Sequence, residues 1–237
     1  MIFISGTSTG VGKTVVGRAI LAAARKAGMR AAPFKPVETG CMPGPDGRLV
    51  PEDAMSLLDA AGLKADVDVP LDLVCPCRFP DPVSPHLAAE RVGSFIDPER
   101  MVAAFKSLKK RFTFISAESA GGLLVPLRPG FLMIDLVKRL RLPVLLAVRD
   151  ELGAINHTLL SIEALRRRRI PDLGVVFIRP PSAPLEEADP WGNRRAVKEY
   201  GNASVLAEIP WLDPLDDTSL LRYGRELLNV FTPRSPS

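Results

Sequence analysis

A short apolar run, Ile2-Phe3-Ile4-Ser5, leads straight into Gly6-Thr7-Ser8-Thr9-Gly10-Val11-Gly12-Lys13-Thr14, and a helical apolar period begins immediately behind it. This strand–turn–helix order constrains the chain more than any other feature. Glycines allow the turn to close tightly and to aim successive backbone N–H groups inward. The start of the following helix adds a partial positive charge, so the turn is suited to gripping phosphate. On this reading Thr9, Gly10, Val11, Gly12, Lys13, Thr14 and Val15 bind a nucleotide. Lys13 neutralises the β- and γ-phosphates, and the Thr14 hydroxyl is a Mg²⁺ ligand. One detail departs from the common P-loop spacing. Five residues, not four, separate Gly6 from Gly12, and Thr7 stands where the first glycine is usual.

Beyond the turn, short apolar runs alternate with helical periods, a pattern that predicts a mostly parallel central sheet with helices on both faces. Strands are expected at Ile2–Ser5, Ala31–Lys35, Phe112–Ala117, Val144–Val148, Gly174–Ile178 and Val205–Glu208. The run Val144-Leu145-Leu146-Ala147-Val148 is apolar without alternation, as a strand buried on both faces requires. Helices are expected at Lys13–Ala27, Pro51–Ala61, Pro98–Arg111, Met133–Leu140, Ile155–Arg168 and Asp217–Leu228. Proline-rich stretches at 43–51 and 180–190 read as surface loops. The predicted fold is therefore α/β, three-layered and P-loop NTPase-like. Residues 1–231 are expected to form one domain, with a frayed Pro/Ser-rich tail at 232–237.

Composition narrows the function classes. The 237 residues are 46% hydrophobic and 24% charged, fitting a globular protein with a sizeable core. No stretch approaches the roughly 18 apolar residues of a membrane span, and the amino terminus lacks the basic flank and length of a signal peptide. Only three cysteines are present, Cys41, Cys75 and Cys77. That sparse, odd count predicts free thiols in a reducing cytoplasm, with neither a disulfide framework nor a zinc site. The run Arg166–Arg169 closes a helix, where cations complement the negative end. It is read as a solvated surface, not as a nucleic-acid patch.

Six segments, taken in order, resemble the dethiobiotin synthase family. The first is Gly6-Thr7-x-Thr9-x-Val11-Gly12-Lys13-Thr14. Then come Lys35-Pro36-Val37-Glu38-Thr39-Gly40, Val83-Ser84-Pro85-His86, Glu118-Ser119-Ala120-Gly121-Gly122, Gly153-Ala154-Ile155-Asn156-His157 and Glu208-Ile209-Pro210-Trp211-Leu212. The resemblance spans roughly residues 1–212 and implies an ATP- and Mg²⁺-dependent cyclo-ligase. Such an enzyme makes dethiobiotin from 7,8-diaminononanoate and CO₂ in biotin synthesis, acting as a cytoplasmic homodimer with neither nucleic-acid nor membrane partners. The reaction it implies runs through a carbamate and a carbamic–phosphoric anhydride.

The resemblance also assigns residues. It places Lys35 against the carbamate and γ-phosphate, with Thr39 as the hydroxyl on the carbamate and Lys13 as the third catalytic group. Thr14, Asp53 and Glu118 become the metal ligands, with Glu52 as the alternative to Asp53. Thr9, Glu118 and Gly121 line the nucleotide and substrate site. Gly153, Ile155 and Asn156 offer N–H groups to the far carboxylate of the diamine, contributed by the neighbouring subunit; the plain alternative is that Asn156 caps its helix. Ser84 and His86 shape the entrance. Two positions differ from the family. Ser119 replaces a glycine and so requires a negative φ, and Arg179-Pro180 stands where an asparagine would read adenine. An arginine cannot accept a hydrogen bond from the adenine amino group, so the base preference stays open.

Two other classes compete. A cobyrinate-type amide ligase usually carries a glutaminase domain, for which the chain has no room. A nucleotide-switch ATPase acting on membrane or DNA often has a second lysine early in the turn, and positions 7–11 have none. Such proteins also often carry an amphipathic tail, which residues 232–237 do not supply.

Overall fold

The computed structural model describes residues 1–181, 189–210 and 217–231. Six parallel strands form the central sheet: β1 (Ile2–Gly6), β2 (Ala31–Phe34), β3 (Phe114–Gly122), β4 (Val144–Arg149), β5 (Asp172–Ile178) and β6 (Val205–Ile209). Their spatial order is β6-β5-β4-β1-β3-β2. All six predicted strands are present. Nine helices are described: α1 (Lys13–Lys26), α2 (Glu52–Ala61), α3 (Leu71–Val74), α4 (Pro85–Arg91), α5 (Pro98–Arg111), α6 (Met133–Leu140), α7 (Ala154–Arg167), α8 (Asn193–Glu199) and α9 (Asp217–Phe231). Three of them, α3, α4 and α8, escape the sequence pattern because four to seven residues are too few to show a helical period.

Alternation along the strands divides the core into two layers. Ile2, Ile4, Leu145, Ala147, Val176 and Ile178 face one cluster, shared with Val16 and Ile20 of α1, Leu57 of α2 and Leu227 of α9. Phe3, Phe34, Leu146, Val148, Val175 and Phe177 face the other, closed by Met101 and Leu108 of α5, Leu136 of α6 and Ile162 of α7. Helix ends follow local chemistry. Asp97 accepts a hydrogen bond from the Glu99 N–H (2.9 Å) ahead of α5, with Pro98 in its first turn, and Lys109, Lys110 and Arg111 close its negative end.

The stretch predicted as a loop at 43–51 contains a small exposed ribbon, Met42–Pro43 paired antiparallel with Leu49–Val50. Within the predicted loop at 180–190, residues 182–188 lie outside the described residues, as do Trp211-Leu212 and the tail at 232–237. Among the described residues no helix is long and apolar enough to cross a membrane.

Topology fixes where ligands collect. The connection leaving β1 runs toward the β2 edge, whereas those leaving β3 and β4 run toward the β6 edge. The crevice at the carboxyl ends of these neighbouring strands is therefore a switch point, where open α/β sheets bind ligands.

Candidate active site

The turn between β1 and α1 wraps this crevice. Gly12 precedes α1 with φ +93°, a left-handed conformation that side chains rarely adopt, and an added Cβ would lie 2.9 Å from the Ile178 side chain. Glycine at this point lets the turn lie directly on the end of β5. Lys13 folds back over the turn, its ammonium donating to the Ser8 carbonyl (3.0 Å). Burial is the main influence on that ammonium and, with Lys35 nearby, lowers its pKa to about 8 against the opposing pull of Glu118 and Asp53.

A compact ionic cluster lies beside the turn. The buried Lys35 ammonium sits 2.6 Å from Asp53 Oδ2 and 2.5 Å from Glu118 Oε1. The Thr14 hydroxyl lies within donating distance of the same two carboxylates, 3.1 Å from Asp53 Oδ1 and 3.0 Å from Glu118 Oε1. Burial alone would lower the Lys35 pKa, but the paired charges of Glu118 and Asp53 outweigh it and hold the ammonium above its ordinary value. For Asp53, burial would raise the pKa; Lys35 and the Thr14 hydroxyl overcome this and hold it below the usual value.

Three separate elements deliver these groups. Thr14 lies in the first turn of α1, Asp53 in the first turn of α2, and Glu118 inside β3. The sequence placed Glu118 just after its strand; pairing with β1 instead carries β3 on to Gly122, opposite Gly6. Close packing of α1 and α2 depends on Gly17, where a Cβ would lie 2.7 Å from Leu57 and 3.4 Å from Glu118 Oε2. Glu52, the alternative to Asp53, is exposed on the helix surface.

The turn and three members of the cluster, Thr14, Lys35 and Asp53, line a cavity of about 710 Å³, while the buried Glu118 lies behind them and does not line it. Thr9, Gly10, Val11, Gly12, Lys13, Thr14 and Val15 border it, as do Lys35, Thr39, Asp53 and Gly121. Ser84 and Pro85 lie at its rim, while the neighbouring His86 has a buried Nδ1 without a hydrogen-bond partner. Ser119 is accommodated as required: it is absent from the residues with positive φ, and its hydroxyl donates to the Gly121 carbonyl (2.7 Å). Gly153, Ile155 and Asn156 do not line this cavity; Gly153 and Asn156 are exposed. The capping alternative for Asn156 is corrected, because α7 begins at Ala154 and Gly153 precedes it with no side-chain cap.

Ile178, Pro180, Pro210 and Arg149 also line the cavity. The Arg179 side chain does not line it and lies 3.4 Å from Glu208. Sequence reading missed Arg149 and Glu38 as wall residues. Glu38 is buried, and its carboxyl pKa is pushed up to about 7, chiefly by that burial. Cys41, Cys75 and Cys77 are free, buried thiols.

The donor set suits Mg²⁺, which prefers oxygen and takes one or two carboxylates plus phosphate oxygens and water. Asp53, Glu118 and Thr14 converge, and Glu118 Oε2 is buried with no hydrogen-bond partner. Among the described residues no group of three His, Cys, Asp or Glu side chains could hold a metal ion by itself. A site completed by phosphate oxygens needs none.

Fold and site together define a nucleotide-binding α/β protein of the P-loop class. Solved structures share the fold. The MinC:MinD cell division complex of Aquifex aeolicus matches with TM-score 0.62 and 16% identity, covering 100% of this chain and 97% of that one. MinD with Mg-ADP from Pyrococcus horikoshii matches with TM-score 0.56 and 20% identity, covering 99% and 90%. Residues 1–219 match the family described as AAA domain.

Curated relatives are more specific. The ATP-dependent dethiobiotin synthetase of Thermodesulfovibrio yellowstonii is 36% identical over 95% of this chain and 97% of its own length. That of Anaeromyxobacter dehalogenans is 39% identical over 98% and 97%. The chain belongs to the ATP-dependent dethiobiotin synthetase family.

Proposed function

We propose that the chain closes the cyclic urea of dethiobiotin from 7,8-diaminononanoate, CO₂ and ATP. One amine attacks CO₂ and loses a proton, giving a carbamate. The carbamate oxygen attacks the γ-phosphorus and expels ADP, forming a carbamic–phosphoric anhydride. The second amine then attacks that carbon, loses a proton and expels phosphate as the five-membered ring closes.

The observation that carries this reading is that Lys35, Asp53 and Thr14 share one cavity with the phosphate turn and are tied together behind it by Glu118. Phosphoryl transfer demands chiefly positioning and charge stabilisation. The turn's N–H groups and Lys13 hold the β- and γ-phosphates. Lys35 stabilises negative charge that grows during transfer, and Thr39 and Thr9 orient the carbamate. Glu118 and Gly121 border the bound nucleotide. Thr14, Asp53 and Glu118 would hold Mg²⁺, whose charge would offset that of the triphosphate. Lys35 then exchanges its carboxylate partners for the γ-phosphate and carbamate.

Gly153, Ile155 and Asn156 stand at the start of α7, a helix without a side-chain cap, and they do not line this chain's own cavity. That placement supports a homodimer in which they receive the far carboxylate of a diamine bound by the neighbouring subunit. Purified protein with diaminononanoate, ¹³C-bicarbonate, Mg²⁺ and ATP is expected to yield dethiobiotin carrying one ¹³C, read by mass spectrometry. Phosphate release that ignores the diamine would instead favour a nucleotide switch. Replacing ATP by CTP or GTP reads the base preference in the same assay, and equal kcat/KM for all three would remove ATP as the preferred nucleotide.

A further inference from the structure

One buried carboxylate in the cavity wall has no task in this scheme. Glu38 lies on the short strand Val37–Thr39, which pairs in parallel with Cys77–Phe79. Its side chain reaches the first turn of α2. Oε1 accepts from the Asp53 N–H at 2.8 Å, and Oε2 accepts from the Ala54 N–H at 3.0 Å. The first N–H groups of a helix have no partner within it and are usually satisfied by the side chain just ahead. Ahead of α2 stands Pro51, which has no side-chain oxygen to offer, and no side-chain cap comes from that position. The cap arrives instead from a residue 15 positions earlier in the chain. In its ionised form the carboxylate also brings a negative charge to the positive helix end.

We infer that Glu38 is a positioning residue for Asp53: by holding two consecutive N–H groups of α2, it sets the height and rotation of the turn that presents the Asp53 carboxylate to Thr14 and Lys35. The inference rests on the reading of Asp53 as a ligand of the metal–nucleotide site. The Asp53 side chain is 44% exposed and, among the described residues, its carboxylate is held by Thr14 and Lys35. Both of these change partner when a metal–nucleotide complex enters. The bonds from Glu38 go to backbone and need not change, so they supply a fixed frame. Two equivalent acceptor oxygens are essential to this role. A glutamine of the same shape offers one acceptor oxygen and points an NH₂ group at the other N–H.

Binding of Mn²⁺ to the protein–ADP complex, followed by electron paramagnetic resonance, tests this without turnover. Glu38→Gln is expected to weaken Mn²⁺ at least tenfold and to speed hydrogen exchange at the amides of residues 53 and 54. The Mg²⁺ concentration for half-maximal dethiobiotin formation is expected to rise by a similar factor, while KM for the diamine stays within twofold. Asp97→Ala removes a comparable cap from α5, away from the site, and controls for general loss of stability; its Mn²⁺ affinity is expected within twofold of wild type. Should Glu38→Ala fail to fold, the isosteric Glu38→Gln decides. Wild-type Mn²⁺ affinity in folded Glu38→Gln, or an equal loss in Asp97→Ala, overturns the inference. Wild-type protein that binds Mn²⁺–ADP yet forms no dethiobiotin overturns the proposed reaction and leaves the role of Glu38 standing. Wild-type protein with no Mn²⁺–ADP affinity overturns both.

Discussion

Replacing Lys35 by methionine is expected to destabilise the unliganded protein and to make its stability depend on a divalent cation. The substitution keeps length and volume but removes the charge that sits 2.6 Å from Asp53 and 2.5 Å from Glu118. Two carboxylates are then left with only the Thr14 hydroxyl between them. Removing one partner of a buried ion pair costs about 3–5 kcal/mol. Glu118 is almost fully buried, but water reaches the 44% exposed Asp53 side chain and screens part of its charge, so the lower end applies. For a chain of this size each kcal/mol moves Tm by about 2–4 °C, so a loss of about 3 kcal/mol lowers Tm by about 6–12 °C. Millimolar Mg²⁺ should recover much of this, because the cation takes the place of the missing ammonium. Wild type, already neutralised from within, should gain less. Thermal melts of both proteins with and without Mg²⁺ measure the four values needed. A Lys35→Met protein that melts like wild type, or one that loses stability and regains none of it with Mg²⁺, would refute the electrostatic reasoning.

Two further perturbations address the turn and its packing. The free-enzyme pKa of Lys13 is about 8, and bound phosphates raise it. At pH 8.5 the lysine is therefore largely neutral before ADP binds and charged afterwards, so binding takes up protons; at pH 6.5 it is charged in both states and uptake vanishes. Calorimetry in buffers of different ionisation enthalpy reads this directly, and Lys13→Met should abolish the uptake at pH 8.5. Gly17→Val places a branched side chain against Leu57 and Glu118. Overpacking of this kind costs about 1–3 kcal/mol, and by pushing α2 off α1 it should also weaken Mg²⁺ binding. A urea midpoint and a Mn²⁺ affinity both equal to wild type would contradict that account.

Much of this arrangement can be read directly from the residues. The fully apolar Val144–Val148 run marked a strand covered on both faces, and glycines beside Lys13 marked the phosphate turn, because those constraints act locally. Glu118 opens a segment that matches the family and Asp53 is assigned by the same resemblance, yet nothing local states that they meet at Lys35; that depends on three elements folding together. The end of β3 was misplaced because Glu118-Ser119-Ala120-Gly121-Gly122 has poor strand propensity, and its pairing with β1 overrides that preference. Glu38 was passed over since its partners are backbone groups 15 and 16 residues away. The one local hint was a helix start at Pro51 lacking the usual Ser, Thr, Asp or Asn.

Helix α9 packs along α1, the helix into which the nucleotide turn opens. At Gly224 an added Cβ would fall 1.9 Å from the Ala19 carbonyl oxygen, so the backbone of α9 presses directly on that of α1. The last helix therefore acts as a splint along the first one, whose opening residues grip the phosphates. Removing α9 would strip that support and loosen the grip at the start of α1.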